Sequence, residues 1–188
     1  MMEELAKFLY EVGLLKRMRR SGWWVAGIRD PESVAEHTFR TAILGYILAR
    51  LEGADPLKTA MICLIHDLPE ARIGDLHRVN DRYLDSREAQ KRAWGDQLQS
   101  LPEKVADALK DLYELWDDQN SLEAKIARDA DLLECFIQAL EYRAQGCSSL
   151  EKWIEKTGAT LKTETARSIA RACQNQDPKT WWHDLDPP

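Results

Sequence analysis

Apolar side chains recur at helical spacing along almost the whole of this 188-residue chain, and no run of alternating β-branched residues bounded by turns interrupts them. That periodicity excludes a sheet-built core and predicts an all-α fold. Leu5, Phe8, Leu9, Val12 and Leu15 mark a first amphipathic helix ending near the basic cluster Lys16 to Arg20, followed by a loop through SGWWVAGIRD. Ser33 and Glu36 form an S-x-x-E capping box that starts the second helix just ahead of His37. Asp55 and Pro56 read as the N-cap and first-turn proline of a third helix, which runs through MICLIHDLPEA until Gly74 stops it. Further helices are expected over 86–99, 102–116 and Ser121 to Gln145, the last closing at Gly146, with a final pair over 149–157 and 161–174 and a tail holding Trp181 and Trp182. The length suits one domain: a core of about six helices over residues 1–146 and a C-terminal helical extension over 147–188.

Composition narrows the classes of function. With 32 acidic and 26 basic side chains the net charge is −6, so the chain lacks the basic footprint on which binding to nucleic-acid polymers depends. No apolar run approaches the ~18 residues of a membrane span. The N-terminus carries acids and no apolar block after a basic start, so no secretory signal is expected and a cytoplasmic address follows. Cys63, Cys135, Cys147 and Cys173 form no C-x-x-C pair and read as reduced thiols.

Chemistry concentrates in a few polar residues set among apolar ones. His37 lies on the stripe Val34, His37, Thr41, Leu44, Leu48 and so faces the interior, where taken alone it would be a hydrogen-bonded core histidine. His66 and Asp67 follow the apolar run Met61 to Ile65, an adjacent imidazole and carboxylate whose burial is costly unless something pairs them. Glu70 stands three and four residues on, expected on the same helix face, and Asp75 lies just past the helix end. Asp131 occupies a helix otherwise built to bury leucines, whereas Asp129, on another face, reads as a bystander. The second His-Asp dipeptide, His183 and Asp184, has no matching partners and reads as chance. Two imidazoles and two carboxylates suit one divalent transition ion, Mn²⁺, Co²⁺, Zn²⁺ or Fe²⁺, with coordination positions left for water and substrate; no cysteine has the spacing of a structural zinc site.

In order and helical context, His37, then His66 and Asp67, then Asp131 resemble the HD-domain metal-dependent phosphohydrolases. The segments ESVAEHTFR, IHDLPEARIGD and DADLLECFIQALEY are similar to those of the 5′-deoxynucleotidase group within that superfamily. The resemblance covers about residues 5 to 145. It implies a single HD-domain helical bundle, usually dimeric, that binds one divalent metal and hydrolyses deoxynucleoside 5′-monophosphates to nucleoside and phosphate. It implies His37, His66, Asp67 and Asp131 as metal ligands, Glu70 as the catalytic glutamate and Asp75 as the aspartate of the following G-D. Arg20 and Trp23 are the nearest match to an arginine and tryptophan that contact nucleotide. One departure is that Asp75 leads into LHRVN where the family often carries a proline-containing stretch.

On this reading Glu70 orients or deprotonates the attacking water, and Asp75 either protonates the leaving 5′-oxygen or holds the sugar's 3′-hydroxyl. Arg20, with Arg72 or Arg78, would offset phosphate charge. Trp23 and Trp24 would stack the base or serve as packing anchors, and His77 is the one further histidine near enough to reach a second ion. Two alternatives stay open: another HD activity, on cyclic nucleotides, alarmones or triphosphates, and a non-catalytic helical module that binds a nucleotide or a protein. Glu70 and Asp75 argue against the second, since a binder needs neither.

Overall fold

The computed structural model describes residues 2–183 and 185, with the side chain of His183 excluded, so the His183–Asp184 pair lies outside the described residues. The chain order is α1 (Met2–Val12), α2 (Ser21–Val25), α3 (Val34–Glu52), α4 (Pro56–Ile65), α5 (Glu70–Ile73), α6 (Ser86–Leu98), α7 (Glu103–Asp118), α8 (Leu122–Ala144), α9 (Glu151–Thr160), α10 (Glu164–Gln174) and α11 (Thr180–His183), with 3-10 turns at Gly13–Lys16, Asn80–Arg82 and Ser148–Leu150. Among the described residues there is no strand, only one isolated antiparallel bridge between Arg19 and Ser33.

Local chemistry sets the main boundaries. The Ser33 hydroxyl accepts from the Glu36 N–H at 3.2 Å while the Glu36 carboxylate accepts from the Ser33 N–H at 2.6 Å, which fixes the start of α3 one turn before His37. Asp55 accepts from the N–H groups of Leu57 and Lys58 ahead of Pro56, and Ser121 accepts from Ala124 N–H to open α8.

Three helices, α3, α4 and α8, pack on one another at the centre. Their buried side chains, with Leu44, Leu48, Ile62, Ile126, Leu133 and Phe136 prominent, form one apolar cluster, which the segment from the Ser148–Leu150 turn through α9 and α10 extends with Leu150, Ile154, Leu161 and Ala166. A second cluster joins α1, α6 and α7 to the start of α3 and the end of α4 through Phe8, Val34, Ile65, Leu68, Trp94 and Tyr113. Leu112 and Trp116 of α7 touch both clusters.

Two segments differ from the sequence expectation. The third helix does not run unbroken to Gly74: α4 ends at Ile65, residues 66–69 form a turn, and α5 is a separate short helix. Pro69 has no N–H to give and disfavours helical backbone at Leu68. Through the break the hydrogen bonds tighten to i→i−3, from Leu68 N–H to Ile65 and from Glu70 N–H to Asp67. Residues 21–25, expected as loop, form the short helix α2. Its first residue is held from afar: Ser21 N–H donates to the Asp75 carboxylate at 2.6 Å and the Ser21 hydroxyl to the Asp75 carbonyl at 2.7 Å.

Candidate metal centre

The HD turn, α3 and α8 bring four side chains to one point. His37 Nε2, on α3, lies 3.2 Å from Asp131 Oδ1, on α8, and 3.7 Å from Asp67 Oδ2. His66 Nε2 lies 3.2 Å from Asp67 Oδ2 and 3.9 Å from Asp131 Oδ1. All four residues are buried. The break after Ile65 makes this possible: adjacent residues of a regular helix point about 100° apart, whereas the turn lets His66 and Asp67 serve one centre.

The donor set fits a divalent ion. His66 Nδ1 donates to the Cys63 carbonyl at 2.6 Å, which leaves Nε2 as the ring's lone-pair nitrogen, and that atom is buried with no hydrogen-bond partner. Such an orphan is costly in a protein interior and is satisfied by a ligated cation. His37 Nδ1 meets Glu134 Oε2 at 2.6 Å, which likewise directs Nε2 towards the centre. His37, His66 and Asp67 form a grouping compact enough to hold an ion, as do His37, Glu134 and Cys135; His77 belongs to neither.

The electrostatics are polarised. In the metal-free protein burial and Arg20 oppose protonation of His37, yet its hydrogen bonds to Asp131 and Glu134 outweigh them and lift its pKa to about 10; a bound cation would take the place of that proton on Nε2. Burial would raise Asp67, but His66 and then Arg20 and His37 prevail and hold it at about 2. Asp131, also buried, is kept well below the usual carboxylate range by His37, His66 and Arg128. Glu70 moves the other way: burial, reinforced by the charges of Asp67 and Asp75, pushes it well above its ordinary value, and its Oε2 is buried without a partner. Asp75 is raised by burial against the pull of Arg20.

Arg20 enters the centre, with Nη1 3.2 Å from Asp67 Oδ2 and Nη2 3.3 Å from Cys135 Sγ. Trp23 does not. Only 1% exposed, it stacks on Trp153 at 4.6 Å, meets Tyr142 edge-on, and donates its indole N–H to Glu32 at 2.9 Å, the surroundings of the packing-anchor alternative rather than of an open stacking face. Arg72 is likewise engaged elsewhere, donating twice to Glu11. Sequence reasoning passed over Glu134, Arg40, Cys135, Arg128 and Trp116. Arg128 reaches Asp131 Oδ2 at 3.1 Å while lying over the Trp116 ring, whose own neighbour is His66. Glu134 carried the signal that singled out Asp131, an acid among buried leucines, three residues further along the same helix.

A sequence profile of the HD domain matches residues 12–173. The chain belongs to the HD-domain family. It is 34% identical over 142 residues to the 5′-deoxynucleotidase HDDC2 of Bos taurus, covering 73% of this chain and 67% of that one. With the 5′-deoxynucleotidase HDDC2 of Dictyostelium discoideum it shares 31% identity over 153 residues, 77% of this chain and 80% of the relative. Among solved structures, a conserved hypothetical protein from Pyrococcus furiosus superposes with a TM-score of 0.76 at 32% identity, covering 91% of this chain and 99% of that one.

Proposed function

We propose that this protein is a metal-dependent phosphomonoesterase that hydrolyses (deoxy)ribonucleoside 5′-monophosphates to nucleoside and phosphate. The observation that carries the reading is the convergence of His37, His66, Asp67 and Asp131 beside a buried carboxyl, Glu70, that has no partner of its own. The relatives named 5′-deoxynucleotidase support the substrate class.

In this assignment His37, His66, Asp67 and Asp131 hold one divalent ion, which when bound polarises a phosphoryl oxygen and acidifies water. Glu70 accepts the proton of the attacking water through Oε2, its burial making it a stronger base than a free carboxylate. Arg20, fixed against Asp67, turns positive charge towards the phosphate of the substrate in an otherwise acidic protein. Asp75, held in orientation by the Ser21 N–H, stands where it can donate a proton to the leaving 5′-oxygen.

We assign the chain a homodimeric state through the outer faces of α3 and α4, where Phe39, Ile43, Ile47 and Leu51, and Leu57, Met61 and Leu64, stand exposed at helical spacing. A cytoplasmic setting accords with four free cysteines and with the absence, among the described residues, of a helix long and apolar enough to cross a membrane.

The test is phosphate release from a panel of nucleoside monophosphates after chelation and reconstitution with Mn²⁺, Co²⁺, Zn²⁺ or Mg²⁺. Monophosphates should turn over, and Glu70→Gln should lower kcat by about 10²–10⁴-fold while metal still binds. Turnover confined to cyclic nucleotides or triphosphates would replace the substrate assignment.

A further inference from the structure

The two histidines of the centre are anchored by different means. His66 is held by a main-chain carbonyl, that of Cys63, which no side-chain substitution removes. His37 is held by Glu134, whose side chain is fully buried and whose two oxygens divide their work. Oε2 faces His37 Nδ1 at 2.6 Å, while Oε1 accepts from both Nε and Nη2 of Arg40, at 3.0 and 2.8 Å. His37 and Arg40 stand three residues apart on α3, so one carboxylate of α8 takes both. Arg40 is fixed in turn by two more residues of the same α8 face: its Nη2 donates to Gln138 and its Nη1 to Glu141, each at 2.7 Å. The result is a continuous polar path from the half-exposed guanidinium of Arg40 to the imidazole at the centre.

We propose that Glu134 and Arg40 are positioning residues for the metal centre: Glu134 fixes the ring and tautomer of His37 so that Nε2 faces the ion, and Arg40 holds Glu134 in place. A buried carboxylate without Arg40 would be an uncompensated charge. With Arg40 gripping Oε1, the other oxygen is free to receive the Nδ1–H of His37 and to increase the basicity of Nε2. Carboxylates behind metal-bound histidines act in this way, and losing one typically costs 10–100-fold in metal affinity. Among the described residues Glu134 makes hydrogen bonds and ion pairs with His37 and Arg40 and none with Glu70, so its contribution passes through His37.

The inference rests on the reading of His37 as a metal ligand and is independent of the substrate. The test is therefore binding of Co²⁺ and Zn²⁺ to the full chain, without turnover. Wild-type protein should bind one Co²⁺ with a visible d–d absorption spectrum; failure here would overturn the metal-centre reading itself. Glu134→Gln, which keeps the size and an acceptor oxygen but not the charge, should weaken Co²⁺ binding by about 10–100-fold. Its Zn²⁺ form should show the His37 Nδ1–H proton resonance moved upfield, while that of His66, anchored on the main chain, stays in place. Equal affinity and an unmoved His37 resonance would overturn the proposal, as would parallel movement of both histidine resonances, which signals general repacking. Should Glu134→Gln not fold, Arg40→Met leaves the carboxylate in place without its grip and should weaken Co²⁺ binding by up to about tenfold with the same His37-selective shift. Wild-type behaviour of Arg40→Met would then overturn the proposal.

Discussion

Asp129 and Asp131 stand two residues apart on α8, both buried, and do unrelated work. Asp131 faces the imidazoles, whereas Asp129 accepts from the backbone N–H groups of Lys162, at 2.9 and 3.1 Å, and Thr163, at 2.6 Å, closing the turn between α9 and α10. Substituting each by asparagine should separate the roles. Asp131→Asn is expected to abolish stoichiometric Co²⁺ binding. Asp129→Asn should leave the metal content intact and lower unfolding stability by about 1–3 kcal/mol, as read from chelated samples in urea, because an amide satisfies those donors less well. Glu32 offers a second residue-level prediction. Burial, reinforced by Glu134, lifts its pKa to about 7 against the pull of His37, Trp23 and Arg20. The unfolded chain loses this proton near its ordinary value of 4.5, so the folded state holds the extra proton between there and 7, and stability falls as pH rises through that window. Glu32→Gln, which can still accept from Trp23, should flatten that decline and raise stability at pH 8 by on the order of 1–3 kcal/mol.

Among elements, α3 and α4 approach each other closely at Gly45. A Cβ built on Gly45 would lie 2.6 Å from Cys63 Sγ and 3.4 Å from a methyl of Thr59, so only glycine permits this approach. Gly45→Ala should cost about 1–3 kcal/mol, and adding Cys63→Ala should recover part of that loss, a coupling that a double-mutant cycle in urea would measure. The long helices were readable because their ends are local events: Ser33 with Glu36, Asp55 with Pro56, and Ser121 each satisfy orphan N–H groups within their own first turn. The break between α4 and α5 was marked by Pro69 yet hidden by continuous apolar periodicity on both sides, so Glu70 looked like a neighbour on one helix face when it opens another helix. Helix α2 had no local mark at all, since its start is fixed by Asp75, 54 residues away. Site residues followed the same division. His37, His66, Asp67 and Asp131 stood out as polar groups in apolar surroundings. Trp23 stayed open between two roles, because a tryptophan beside a helix break looks the same in sequence whether its face is open or covered, as here, by Trp153.

For the molecule as a whole, the outer stripe of α3 and α4 leaves several large apolar side chains in water. If the proposed dimer forms through this stripe, wild-type protein should run as a dimer by light scattering after size exclusion and Ile43→Glu with Ile47→Glu as a monomer, with metal content per chain retained; equal masses for the two would overturn the proposed interface. The other molecular-scale feature is where the centre lies. His66 and Asp67 are flanked by Ile65 and Leu68 of the second apolar cluster, and Asp131 by Ala130 and Leu133 of the first, while α3 carries His37 between Val34 of one and Leu44 of the other. An ion held by all four is thus a rivet through the seam between two cores. At a hundredfold excess over its dissociation constant it would add about 2.7 kcal/mol to stability. Chelation should hasten amide exchange first in α1, α6 and α7 and last in α9 and α10. Were those four side chains to hold the ion as proposed, removing it would forfeit cohesion along with chemistry, because both would be drawn from the same contacts.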